Sequence, residues 1–225
     1  MGKEYIKIRN EKPTTPFSKN RDVLKTMNEE FWKSWIFYYL LYFYENFDKI
    51  KLKQKIEIEN ITRVEKAISD SLSKYLKNNT EFDRDIGFKI NREVQSESDK
   101  ESYYDIKIEH SCWEKMFCFE CKNLDGKLRL NKEYINNGVY RYFNGKYAPN
   151  QNFGGMIGYV LNGDCMTIKE KIQEKLRKKF DTSPDGDLKR MEKLDDNPFA
   201  FNSFHSRFGS EFVIHHLLFD FIQIN

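Results

Sequence analysis

Asp105, Glu120 and Lys122 are the residues of this 225-residue chain whose types and spacing point to chemistry. They lie in two short apolar segments, Tyr103-Tyr104-Asp105-Ile106-Lys107-Ile108 and Phe117-Cys118-Phe119-Glu120-Cys121-Lys122, joined by a polar stretch from Glu109 to Met116. Both segments read as strands, and the connection is short enough for a hairpin. Side chains alternate along a strand, so Glu120 and Lys122 share one face while Phe117, Phe119 and Cys121 share the other. Antiparallel pairing can bring Asp105 beside Glu120, within reach of one metal ion. Two carboxylates and an ammonium on one patch are the minimum for metal-assisted phosphodiester hydrolysis.

The elements that must position these residues follow from periodicity and turn chemistry. A helix is expected from Met27 to Phe47, opened by Asn28, Glu29 and Glu30, where negative charge suits the helix dipole. It is apolar nearly all round, which leaves two readings open: a core helix, or an interface for a second copy or a partner protein. A second helix, Asn60 to Asn78, has an apolar face of Ile61, Val64, Ile68, Leu72, Tyr75 and Leu76, with Glu65 inside the apolar arc. A strand is expected over Ile86 to Val94, then a polar turn from Gln95 to Ser102, then the two motif strands. A helix over Lys132 to Phe143 ends at Asn144-Gly145, and Gly154 to Leu161 is a continuous apolar run of the kind found in buried parallel strands. Ile168, Ile172, Leu176 and Phe180 mark a further helix. Asp181 to Pro198, with Pro184, Gly186, Asp187, Asp195 and Asp196, reads as a polar loop. The last segment reads as two strands, Phe199 to Phe204 and Glu211 to Ile224, around a turn from His205 to Ser210.

An Asp, a hairpin-length gap and then Glu-x-Lys resemble the motif of the PD-(D/E)XK nuclease superfamily, whose restriction-endonuclease-like core runs helix, three strands, helix, strand. The order expected from Asn60 to Leu161 is the same and covers a little under half the chain. The residue before Asp105 is Tyr104, where the family name has proline. The resemblance implies an α/β fold with that core, an extra N-terminal helix and C-terminal strands. It further implies Mg2+, with Mn2+ as a substitute, held by Asp105, Glu120 and the main-chain carbonyl of Cys121. Lys122 would orient or help deprotonate the attacking water. By the same resemblance Glu65 is a candidate ligand from the first core helix; the other reading, a carboxylate at the edge of the stripe reaching solvent, stays open. Arg141 and Lys146, on the helix after the motif strand, are expected to border a substrate cleft. The activity implied is an endonuclease acting on DNA, of the kind used in restriction or phage defence. Two rivals stand beside it: a non-catalytic nucleic-acid-binding or assembly subunit, and an RNA-cleaving enzyme on the same core.

Bulk properties bound these readings. The chain has 38 basic against 35 acidic residues, net +3, so any phosphate-binding surface must be local. With 39% hydrophobic and 16% aromatic residues it can build a core without staples. Residues 1–59 read as an arm and aromatic helix, 60–180 as the nuclease-like core, and 181–225 as a polar loop and strand pair packed on it. Four cysteines do not make a disulfide framework, and Cys118 and Cys121 would point to opposite faces of a strand, so no shared metal is expected. The charged start of the chain carries no apolar leader and Trp35 to Tyr44 is too short to span a bilayer, so a cytoplasmic setting without membrane is expected. His215 and His216 would likewise point apart. His205 and Arg207 are placed on an exposed turn, with no nucleophile–base arrangement among Ser203, His205 and Ser206.

Overall fold

The computed structural model describes residues 12–13, 17–48, 61–96, 103–126, 128–181, 187–193 and 198–222. Most of the expected N-terminal arm, the Gln95–Ser102 turn beyond Ser96, and Pro184, Gly186, Asp195 and Asp196 lie outside the described residues. The protein is α/β, built on a seven-stranded mixed sheet with helices on both faces. The helices are α1 (Arg21–Lys25), α2 (Glu29–Asn46), α3 (Ile61–Asn78), α4 (Leu128–Glu133), α5 (Tyr140–Phe143) and α6 (Cys165–Phe180). π-helical segments occupy Glu81–Ile86 and Tyr134–Val139, the second joining α4 to α5. The strands are β1 (Lys89–Gln95), β2 (Tyr103–Glu109), β3 (Met116–Leu124), β4 (Phe153–Val160), β5 (Leu188–Lys193), β6 (Ala200–Arg207) and β7 (Ser210–Asp220). Their order across the sheet is β1-β2-β3-β4-β7-β6-β5. β3, β4 and β7 are mutually parallel; the remaining neighbours are antiparallel.

The parallel centre explains the unbroken apolar run in β4, all of whose residues are buried. Helices on both faces leave no polar side for alternation to mark. One face carries α2 and α3, the other the α4–α5 stretch and α6. α3 buries Val64, Ile68, Leu72 and Leu76, each worth about 1.5–3 kcal/mol against exposure.

α2 is a core helix. Phe37 packs on Phe117 and His215, Tyr44 stacks on Phe219, Tyr39 meets Phe82, and Phe17 covers Phe31, Trp32 and Trp35. Its apolar surface is thus used within the chain, and Tyr42 is its one large hydrophobic side chain counted as exposed. Asn28 caps the helix by accepting from Phe31 N–H at 2.9 Å.

Three expectations are corrected. Residues 181–198 are not all loop: Leu188–Lys193 forms the edge strand β5, whose charges suit a sheet edge and hide its strand pattern. The helix expected from Lys132 begins at Leu128 and passes through the π-helical segment. The turn expected over His205–Ser210 shrinks to Phe208-Gly209, so His205 and Arg207 belong to β6 and are buried rather than exposed. β7 ends at Asp220.

Phe208 (φ 50°) and Gly209 (φ 77°) are both left-handed, the backbone of a tight primed hairpin turn. Phe208 is 74% exposed, so its ring gains little from burial while its backbone is strained. Phe208→Asn is expected to stabilise the fold by about 1 kcal/mol and raise Tm by about 2–4 °C. A thermal melt with Tm unchanged or lowered contradicts that account.

Candidate active site

The site lies at a fork in the sheet. The β2–β3 ladder stops at Ile106↔Phe119, while β3 runs on to Leu124 paired only with β4. One further step would set Asp105 opposite Glu120 in the ladder. Instead the strands part, and the β3 main-chain N–H groups beyond the fork need other acceptors. Two carboxylates supply them: Asp105 Oδ2 accepts from Cys121 N–H at 2.7 Å, and Glu65 Oε2 accepts from Asn123 N–H at 2.8 Å. On β1 the pairing with β2 skips Glu93, which stands at φ 51°, so the irregularity crosses both strands at the level of Asp105.

The opening lets side chains from both layers meet. Glu65 comes from α3 on one face; Glu120 and Lys122 belong to the opposite face, with Arg141 of α5. Lys122 Nζ is 2.6 Å from Glu120 Oε1 and 3.9 Å from Glu65 Oε1. Arg141 Nη1 is 3.3 Å from the same Glu120 oxygen and donates to Tyr147 Oη at 2.6 Å, and that hydroxyl donates to the Tyr103 carbonyl at 2.5 Å. Arg92 donates to the Asp105 carbonyl at 3.0 Å and pairs with Asp70.

Burial dominates the electrostatics. Glu120 is 1% exposed, and desolvation, reinforced by Asp105, pushes its carboxyl up to about 7 despite Lys122 and Arg141. Burial also raises Glu65, partly offset by Lys122 and the Asn123 N–H. Burial would lower Lys122, but Glu120, Glu65 and Asp105 together reverse the sign and hold its ammonium charged. A lysine so held suits orienting and charge stabilisation better than taking a proton from water.

The structure therefore gathers Glu65, Asp105, Glu120, Lys122 and Arg141. Lys146 does not join them through a salt bridge: it is exposed on the turn after α5, where its carbonyl accepts from Ser96 Oγ. Tyr147 and Arg92 are site neighbours that sequence reasoning missed, and neither carries a spacing signal. The cysteines are free and buried; Cys118 and Cys121 fall in different core layers.

Among the described residues no three His, Cys, Asp or Glu side chains close into a ready metal cage. The donor set still fits a hard divalent cation that keeps water and substrate oxygens in its shell. Asp105, Glu120, Glu65 and the Cys121 carbonyl are all oxygen donors, and Glu120 Oε2 is buried without a hydrogen-bond partner. No family model, no curated protein and no solved structure matches the chain. Among the described residues no helix is long and apolar enough to cross a membrane.

His215 and His216 lie back to back in the sheet, facing opposite core layers. His215 Nδ1 meets Asn202 Oδ1 at 2.7 Å; His216 bridges Tyr134 Oη at 2.9 Å and Ser203 Oγ at 2.8 Å. Ser203 Oγ also meets His205 Nε2 at 2.8 Å, a buried chain that the sequence did not suggest. Burial holds both His215 and His216 well below the usual imidazole range. The unfolded chain takes up those protons below about pH 6.5 and the folded one does not, so stability falls with pH there. Glu120 works the other way, gaining its proton in the folded state below about 7. His110 shifts with the two histidines and Glu65 with Glu120, so lowered imidazoles outnumber raised carboxyls and stability is expected to fall on acidification between roughly pH 6.5 and 5. Urea unfolding across that window checks it, and a midpoint that rises on acidification contradicts it.

Proposed function

We propose that the chain is a Mg2+-dependent endonuclease that hydrolyses DNA phosphodiester bonds on a restriction-endonuclease-like core. The observation that carries this reading is the fork itself, where an Asp from β2 and a Glu-x-Lys from β3 meet a Glu from α3 in one electrostatic cluster. The order α3, β1, β2, β3, α4–α5, β4 supports it, because the expected core runs helix, three strands, helix, strand. Asp105, Glu120, Glu65 and the Cys121 carbonyl are the groups that would hold Mg2+, or Mn2+ in its place. Bound there, such a cation would supply Lewis acidity at the phosphoryl group and lower the pKa of a coordinated water. Lys122 then orients the attacking water by hydrogen bonding and offsets charge growing on the phosphoryl oxygens. Arg141, held by Glu120 and Tyr147 through Nη1, would offer its remaining guanidinium donors to the non-bridging oxygens.

Plasmid DNA incubated with Mg2+ and wild-type protein, beside Glu120→Ala, tests the reading. Nicking or linearisation by the wild type alone is expected. Equal cleavage by both proteins removes the site built on Glu120, and no cleavage by either removes the nuclease assignment and favours a binding subunit on the same scaffold.

A further inference from the structure

Holding a long polyanion takes positive charge beyond the site itself; this inference rests on the nuclease reading above. Around Glu65 and Asp105 the nearby cations are already committed to carboxylates, Lys66 to Glu93 at 3.3 Å and Arg92 to Asp70 at 3.0 Å. Charge for the phosphates on either side of a cut must come from elsewhere on the surface.

It is concentrated on the other face of the sheet. The α4–α5 stretch (128–143) and α6 (165–180) together carry nine basic and three acidic residues, net +6, against +3 for the whole chain. The remainder is therefore net negative, and such asymmetry is the electrostatic footprint of a polyanion-binding surface. Within α6, Lys171, Lys175 and Lys179 repeat at i, i+4 and i+8. Like charges at that spacing destabilise a helix, whereas Glu174 and Lys178 of the same helix pair in the ordinary way. The helix dipole accounts for a cation in the last turn, Lys179 among them; Lys171 and Lys175 stand outside that turn.

The line of lysines faces the α4–α5 stretch. Lys171 Nζ donates to the Gly126 carbonyl at 3.5 Å, and Lys179 Nζ donates to Asn136 Oδ1 and lies over the Tyr140 ring at 4.5 Å. α4 packs on α6 and adds two exposed cations, Arg129 and Lys132. Among the described residues none of these five makes a salt bridge. At 1.5 Å per residue the lysine line is about 12 Å long, the axial rise of about three to four phosphates on one strand. It starts beside the site, because Gly126, which Lys171 touches, follows Lys122 by four residues.

We infer that the α4–α6 face holds the phosphate backbone of the DNA substrate without reading its sequence. Fluorescence anisotropy of a short labelled duplex in EDTA, between about 50 and 200 mM salt, reads binding without cleavage. Each phosphate neutralised contributes about 0.9 to the slope of log affinity against log salt, so Lys171→Gln/Lys175→Gln is expected to make that slope shallower by about 1.8. The loss is expected to be equal on two unrelated sequences, with the thermal melt unchanged or raised. Lys25→Gln/Arg84→Gln removes as much charge from the face that carries α2 and is expected to leave the slope in place. Equal slopes for wild type and the α6 variant, equal losses from the two variants, tighter binding of the matching RNA, or no binding by the wild type overturns the inference. Adding Mg2+ separates the two claims. Plasmid cleavage by the wild type with no change of slope in the α6 variant sinks the interface and keeps the nuclease; the shallower slope without any cleavage by the wild type sinks the nuclease and keeps the interface.

Discussion

Lys122→Ala is expected, on the proposed nuclease reading, to lower the rate of Mg2+-dependent cleavage by roughly 10²- to 10⁴-fold, the range seen when a positioned proton-handling or charge-stabilising group is removed. Two effects combine. The ammonium that would face the phosphoryl group is gone, and Glu120 keeps only Arg141, at 3.3 Å, to offset its burial. Its carboxyl then rises further, and metal binding at neutral pH weakens with it. Lys122→Arg separates the two, because it retains a charge beside Glu120 but not the compact donor that the site is built around. It is expected to recover metal affinity, read by calorimetry, more fully than rate. Wild-type cleavage by Lys122→Ala would falsify the role given to this residue.

Arg207→Ala is expected to cost about 3–5 kcal/mol of folding stability, because it leaves several buried carbonyls without a charged donor and a cavity in place of a large side chain. The guanidinium is 5% exposed and lies over the Phe212 ring at 3.9 Å. Its donors meet the carbonyls of Tyr142 at 2.9 Å, Tyr147 at 3.2 Å, Ala148 at 2.8 Å, Pro149 at 3.4 Å and also Gln151. Burial lowers its pKa to about 10, so it stays charged at neutral pH. A whole loop is thereby tied to one side chain, and that loop holds the Tyr147 hydroxyl against Arg141. Arg207→Lys is expected to restore little, since one ammonium cannot reach five carbonyls spread over a fork. Urea unfolding of both variants measures this; a loss below about 1 kcal/mol for Arg207→Ala rejects the account.

What the chain reveals before folding divides along physical lines. α3 was legible because Val64, Ile68, Leu72 and Leu76 repeat at helical spacing, and β4 because eight apolar or glycine residues run together. β5 was hidden because Leu-Lys-Arg-Met-Glu-Lys at a sheet edge needs no buried face. His205 and Arg207 were misplaced because a polar residue in a strand reads as a turn unless its partners are known, and theirs are the Ser203 hydroxyl on the same strand and the distant 142–151 carbonyls. In the site, Asp105, Glu120 and Lys122 were found by type and spacing, and Glu65 by a carboxylate out of place in an apolar stripe. Tyr147 and Arg92 gave no such sign, since their roles depend on where a loop and a neighbouring strand come to rest.

The parted strands have a bearing on descent. Asp105 and Glu65 each close off a stretch of bare peptide edge, a task that any short side-chain oxygen performs whether or not chemistry follows. A lineage that gave up catalysis would still be under pressure to keep an acid or amide at both places. Glu120 and Lys122 pair with each other, Lys122 also donating to the Cys121 carbonyl at 3.0 Å, and on the proposed reading their loss in a sister chain, more than that of the other two, would mark a retired enzyme.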